Sequence, residues 1–281
     1  YMIISGIANV LLNLLYVGAL RMTVSGVAIA TVLSNSIALV LILIQLAKNQ
    51  DYCKIEKQNL RLSKQEFKEM IQLGIPACIS GISFYFGEVV VTSAVNSLSA
   101  DAMTANAIAA QLDRINYTVG SSIATATGIM ISQNFGAGNF CRVRRSMGIG
   151  TAYCVAVTMG VGLCVIGVSD AIIRLLTDSE AVVQITKERF ILLALTNFIT
   201  CTMEVFSNAV RALKRPRFLL YVGIICGFII RSGWAWFVWP ICRTLPFLFV
   251  CFPLSTLIGI LIYLPVYLFA IKKEETILSG I

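Results

Sequence analysis

Residues 24–47 read VSGVAIATVLSNSIALVLILIQLA, twenty-four consecutive positions without a single charge. At 1.5 Å per residue a helix of that length reaches about 36 Å, more than the ~30 Å of a bilayer's hydrocarbon core. An open sheet could not satisfy its backbone there, so the stretch predicts a membrane-spanning helix. Similar apolar runs recur along the chain. They place spans at roughly 2–20, 24–47, 71–96, 102–133, 148–169, 189–211, 217–241 and 246–271, within a few residues at each edge. The fold class this predicts is all-α and polytopic, with about eight transmembrane helices.

Composition agrees with this and removes other classes. Of 281 residues 58% are hydrophobic and 13% charged, about half the charged share of a soluble domain. Histidine is absent from the sequence, which removes Ser-His-Asp and Cys-His catalysis and imidazole metal ligation. No clustered acidic loop motif suggests Mg²⁺-phosphate chemistry, so an enzyme is not expected. The nine cysteines are odd in number and lack a C-x-x-C pair, so a disulfide framework is not expected either. A net charge of +8 would suit nucleic acid only if the basic residues shared one soluble face. They fall between the apolar runs instead, so the expected partner is a lipid bilayer and nucleic acid is not.

The Lys and Arg residues are asymmetric. Lys48, Lys54, Lys57, Arg61, Lys64, Lys68, Arg142, Arg144, Arg145, Arg211, Lys214, Arg215, Arg217, Lys272 and Lys273 fall on one side of the eight-span arrangement, 15 of the 22. The other side holds Arg21, Arg174, Lys187, Arg189 and Arg243, and Arg114 and Arg231 lie within spans. The positive-inside rule makes the richer side cytoplasmic, with both chain ends there. The polar stretch from Lys48 to Glu69 divides the chain, and Ser63-x-x-Glu66 is a capping-box pattern that predicts a helix start near Ser63. That helix is expected to lie along the cytoplasmic surface and enter the membrane near Gly74 and Pro76.

Five ionisable residues sit inside spans: Glu88, Asp113, Arg114, Glu204 and Arg231. Each costs at least ~2.5 kcal/mol on insertion scales, so each is expected to face a water-filled cavity or a partner. Glu204 has Asn197, Thr200, Cys201, Ser207, Asn208 and Arg211 on its helical face, a nearly continuous polar stripe. Asp113 has Asn106, Asn116 and Tyr117, whereas Glu88 has Phe84, Tyr85 and Thr92. Counted from the basic ends, Glu88 and Arg231 both lie roughly 20–25 Å deep. They are plausible partners; Glu204 and Arg231 are not. Trp234, Trp236 and Trp239 leave open a second reading of Arg231, as part of an interfacial belt. A desolvated carboxylate can take a proton or a cation and release it when water enters, as ion-coupled transport requires.

Four stretches resemble the multidrug and toxic compound extrusion (MATE) family. Asn9-Val-Leu-Leu-Asn13 with Gly26-Val-Ala-Ile-Ala-Thr31 resembles its fifth-to-sixth helix hairpin. Gly74-Ile-Pro76 and Ala102-Met-Thr-Ala-Asn106 resemble the seventh helix and the start of the eighth. Ser132-Gln-Asn-Phe-Gly-Ala-Gly-Asn139 with Arg142 resembles the Q-N-x-G-A-G-N-x-x-R segment after the eighth, the most specific of the four. Cys201-Thr-Met-Glu204 through Arg211 and Lys214 resembles the tenth helix and its exit, without the family's two exit glycines.

The resemblance implies the last eight helices of a twelve-helix, two-lobe fold. Residues 1–47 would be the last two helices of the N-terminal lobe, 48–70 a cytoplasmic linker, and 71–281 a complete six-helix C-terminal lobe. Four spans would precede Tyr1, making this sequence a fragment of a protein that is monomeric when whole. The implied function is a multi-pass cell-membrane antiporter that exports organic, cationic and amphiphilic compounds in exchange for Na⁺ or H⁺. It needs no cofactor beyond the coupling ion. The family's seventh-helix carboxylate falls on Glu88; its acidic tenth-helix position falls on Thr200, with Glu204 one turn on and fitting a Met-Glu branch. Glu88, Glu204, Asp113, Tyr85, Phe84, Tyr117, Asn116, Thr200, Asn197 and Arg231 are the expected ion and substrate residues, with Na⁺ near Glu88 or Glu204. The alternatives are a lipid-linked oligosaccharide flippase of the same superfamily and a truncated chain that does not transport.

Overall fold

In the computed structural model the described residues are 1–48 and 63–279, with side chains described through 276. Among them there is no strand. Eight long helical segments follow one another: α1 Met2–Ala19, α2 Val24–Lys48, α3 Lys64–Asn96, α4 Ala100–Gly136, α5 Phe140–Leu176, α6 Glu180–Ala212, α7 Pro216–Ile241 and α8 Leu245–Thr276. All but α4 are both long and apolar enough to cross a membrane. α4 is long enough but carries Asn106, Gln111, Asp113, Arg114 and Asn116 in its first half.

The chain divides into two compact units, Tyr1–Phe67 and Lys68–Ile281. In the first, α1 and α2 form a hairpin whose contact face on α2 is Gly26, Ala30 and Ser34. Small side chains let the backbones approach, and polar groups then bond across the gap. Ser5 Oγ donates to Ser34 O at 2.7 Å and Asn9 Nδ2 to Ser34 Oγ at 3.0 Å. Residues 49–62, including Lys54, Lys57 and Arg61, lie outside the described part. The expected start near Ser63 is present: Glu66 N donates to Ser63 Oγ at 3.4 Å and α3 begins at Lys64.

In the second unit α4 packs between α5 and α6 and buries eleven residues, six of them alanine or glycine. A Cβ built on Gly120 meets Cys201 and Thr158, and one on Gly128 lies 2.8 Å from Asn208 Cβ. The polar helix thus presents a narrow face of small residues to α5 and α6, which also pack on each other. It ends as the two glycines after the span suggest. Gly136 is the last helical residue, Gly138 takes a left-handed φ of 70°, and Asn139 caps α5 by accepting from Arg142 N at 3.1 Å. At the α6 exit, where the family's glycines are missing, Lys214 itself adopts a left-handed φ of 56°.

The helices overrun the apolar windows. α5 begins at Phe140 rather than near 148, and α6 at Glu180 rather than near 189. Their added turns are amphipathic, so hydropathy misses them while hydrogen bonding continues. Arg189, read above as a loop residue, thus lies nine residues inside α6, about 14 Å from its start.

α7 is the irregular element. A short α-helix, Pro216–Val222, continues as π-helix over Gly223–Ile230, and a second π segment, Trp234–Val238, follows Arg231–Gly233. π-Segments are uncommon and concentrate at functional positions. Its tryptophans do not form one belt. Trp239 is buried and donates to Thr244 O at 3.2 Å, Trp234 donates to Phe247 O at 3.0 Å, and Trp236 is exposed.

Gly120→Val is expected to destabilise the second unit by about 1–3 kcal/mol through overpacking against Cys201 and Thr158. Gly136→Ala, where a Cβ meets nothing, should leave the melting midpoint of detergent-solubilised protein unchanged. Equal midpoints for both variants would contradict the close α4–α6 contact.

Candidate ion and substrate site

Two glycines on α7 set up the first charged pair. A Cβ on Gly223 would strike Ser80, and one on Gly87 would strike the Gly227 carbonyl. α3 and α7 thus touch backbone to backbone, which places the residues after these glycines, Glu88 and Arg231, beside each other. Arg231 Nη1 lies 3.6 Å from Glu88 Oε2, as equal depth suggests. The guanidinium is buried between Phe84 and Phe252, 5.1 and 4.5 Å from their ring centroids, and its Nε donates to Ser255 Oγ at 3.3 Å. Phe84 therefore serves a resident arginine. Glu88 itself is half exposed and Tyr85 largely so.

The second pair joins α4 to α6. Arg189 Nη1 donates to Asp113 Oδ2 at 2.8 Å, with the arginine buried and stacked 4.6 Å over Phe249. The sequence reading misassigned this cation: the arginine inside the bundle is Arg189, whereas Arg114 is exposed. No signal within either helix announces this pair, because it forms only where α4 meets α6.

Glu204 differs from both. Ser121 Oγ donates to its Oε1 at 3.1 Å, and Tyr117 interacts with the same carboxylate. Its Oε2 is buried without a hydrogen-bond partner. No cation pairs with it among the described residues, and Arg231, as the depth count required, is not its partner. Above it Asn116 is almost wholly buried, its Oδ1 and Nδ2 both unpartnered, and Asn197 Nδ2 is unpartnered too. Two amides and one carboxylate oxygen thus have free hydrogen-bonding capacity within the packing of α4, α5 and α6, with Asn116 Nδ2 against Gly162 of α5. Water or a small cation would satisfy it. Thr200 is half-buried nearby on α6.

One carboxylate thus pairs with an arginine between α3 and α7 and another between α4 and α6, while a third meets a hydroxyl between α4 and α6. The arrangement can neutralise charge in pairs, and it can receive one further cation at Glu204. Ser121 was missed because its role depends on α4 meeting α6, which no single helix reveals.

Removing one member of the buried pair leaves an uncompensated charge. Arg189→Met is expected to cost about 3–5 kcal/mol, and Asp113→Asn/Arg189→Met to regain most of it. Thermal unfolding of the three proteins checks this; a double variant as unstable as Arg189→Met contradicts it.

A family model described as MatE matches residues 76–236. The chain is 26% identical over 156 residues to the probable multidrug resistance protein YoeA of Bacillus subtilis (strain 168), covering 53% of this chain and 34% of that protein. It is 25% identical over 191 residues to the probable multidrug resistance protein NorM of Pseudomonas syringae pv. tomato, covering 65% and 41%. Among solved structures, the outward-facing conformation of a multidrug resistance MATE family transporter of the MOP superfamily aligns with a TM-score of 0.83 at 17% identity. That alignment covers 99% of this chain and 62% of the other. The Vibrio cholerae MATE transporter VcmN in its bent form aligns with a TM-score of 0.81 at 15% identity, over 97% and 62%. The matched part is thus well under half the length of these curated relatives. The family match spans more than half of this sequence and includes Glu88, Asp113, Arg189, Glu204 and Arg231: the chain belongs to the MatE family of multi-pass membrane transporters.

Proposed function

We propose that the protein acts in cation-coupled export of organic, cationic and amphiphilic compounds across the cell membrane, by alternating access of a central cavity. The observation that carries this reading is Glu204, a carboxylate in the interior with the Ser121 hydroxyl on one oxygen and no hydrogen-bond partner on the other. Such a group gains from binding H⁺ or Na⁺ in a dry state and loses that gain when water enters. A difference in ion affinity between two conformations is what couples ion movement to rocking of one lobe against another.

Glu88 serves a different role in this scheme. It already has a resident cation in Arg231, yet half of it is open, so an incoming organic cation competes with Arg231 for the same carboxylate. Exposed Tyr85, three residues before it on α3, offers aromatic surface, and Tyr117 on α4 is exposed as well. A flippase for anionic lipid-linked oligosaccharides needs free positive charge facing its cavity. Both interior arginines are instead buried against carboxylates, which favours the cationic substrate. By the basic-residue count, both described ends lie on the cytoplasmic side.

In inverted membrane vesicles carrying the protein, Glu204→Gln is expected to reduce gradient-driven accumulation of a fluorescent organic cation at least tenfold. Glu88→Gln should mainly raise the apparent KM. Wild-type accumulation in both variants would overturn the assignment.

A further inference from the structure

Away from the charged site, a groove of about 530 Å³ runs along the seam between α4 and α5. Its walls are apolar over most of their length: Ile123 and Met130 from α4, Ile149 and Tyr153 from α5. Its floor is narrow because Gly150 lies directly on Thr127. At one end the lining becomes polar, with Asn134, Arg142, Arg145 and Ser146.

The two helices are antiparallel, so these polar residues gather at a single end. From Ile123 to Asn134, and equally from Tyr153 back to Arg142, the walls run eleven residues, about 16 Å. That is the depth of one leaflet, half of ~30 Å. Arg144, in the same turn, points away and pairs with Glu275 on α8. Arg142 and Arg145 have no ion-pair partner among the described residues. This end belongs to the basic side of the protein.

We propose that this groove is a binding site for an anionic phospholipid of the cytoplasmic leaflet. Its phosphodiester sits between Arg142 and Arg145, and one acyl chain lies along Ile123, Met130, Ile149 and Tyr153. Each element of the site selects against another occupant. Two uncompensated arginines repel the organic cations assigned to the central cavity. A zwitterionic lipid leaves their charge unbalanced, and a free phosphate leaves the 16 Å apolar wall exposed. Lipid here would brace α4, the helix that carries Asp113, Tyr117 and Ser121.

Native mass spectrometry of the protein released from nanodiscs of equal phosphatidylglycerol and phosphatidylcholine tests this. The wild type is expected to retain phosphatidylglycerol about tenfold over phosphatidylcholine. Arg142→Gln/Arg145→Gln should bring the ratio close to one. Ala126→Trp, which fills the groove with both arginines intact, should lower retention of either lipid. Lys272→Gln/Lys273→Gln, at the basic end of α8, should behave as wild type. The proposal is overturned if wild type shows no preference, or if either groove variant retains lipid as wild type does. It is also overturned if the α8 variant loses the preference equally, or if glycerol phosphate displaces the bound lipid from wild type.

Discussion

A guanidinium survives inside an apolar bundle only if a carboxylate, a hydroxyl and aromatic faces replace the water it has lost. Arg231 has all three, and it has them because α3 and α7 approach until Gly87 meets the Gly227 carbonyl. A side chain at either glycine would push the helices apart and leave the arginine unpaired. The π-helical stretch of α7 ends directly before Arg231. Helix geometry, glycine placement and charge pairing therefore form one device. The other charged contacts, Arg189 with Asp113 and Ser121 with Glu204, are set by α4 against α6.

The α4–α6 contact repeats the same logic. Gly120 and Gly128 bring α4 close to α6, and polar side chains then meet across the seam in sequence: Asp113 with Arg189, Ser121 with Glu204. Asp113 and Glu88 each have an arginine of opposite charge. Glu204 meets the Ser121 hydroxyl and, among the described residues, forms no ion pair. One carboxylate of three has a buried oxygen without a hydrogen-bond partner and no paired cation among the described residues.

Much of this was legible in the sequence. The spans follow from uncharged length, the exit of α4 from Gly136 and Gly138, and the Glu88–Arg231 pair from equal depth. The polar stripe around Glu204 follows from helical periodicity. Arg189 was misplaced because amphipathic turns at the start of α6 fall below any hydropathy threshold. Ser121 and the Gly87–Gly227 contact were invisible for another reason: each acquires meaning only from a residue on a different helix. The π-segments of α7 leave no periodic trace in a stretch that is apolar on every face.

The central claim is that Glu204, which has no resident arginine, is the carboxylate that exchanges the coupling ion. Infrared difference spectroscopy of the lipid-reconstituted protein, recorded as pH and Na⁺ are varied, addresses it directly. The expected result is one carboxyl band that responds to both ions, persists in Asp113→Asn, and disappears in Glu204→Gln. A responsive band that survives Glu204→Gln and is lost in Asp113→Asn would contradict the claim.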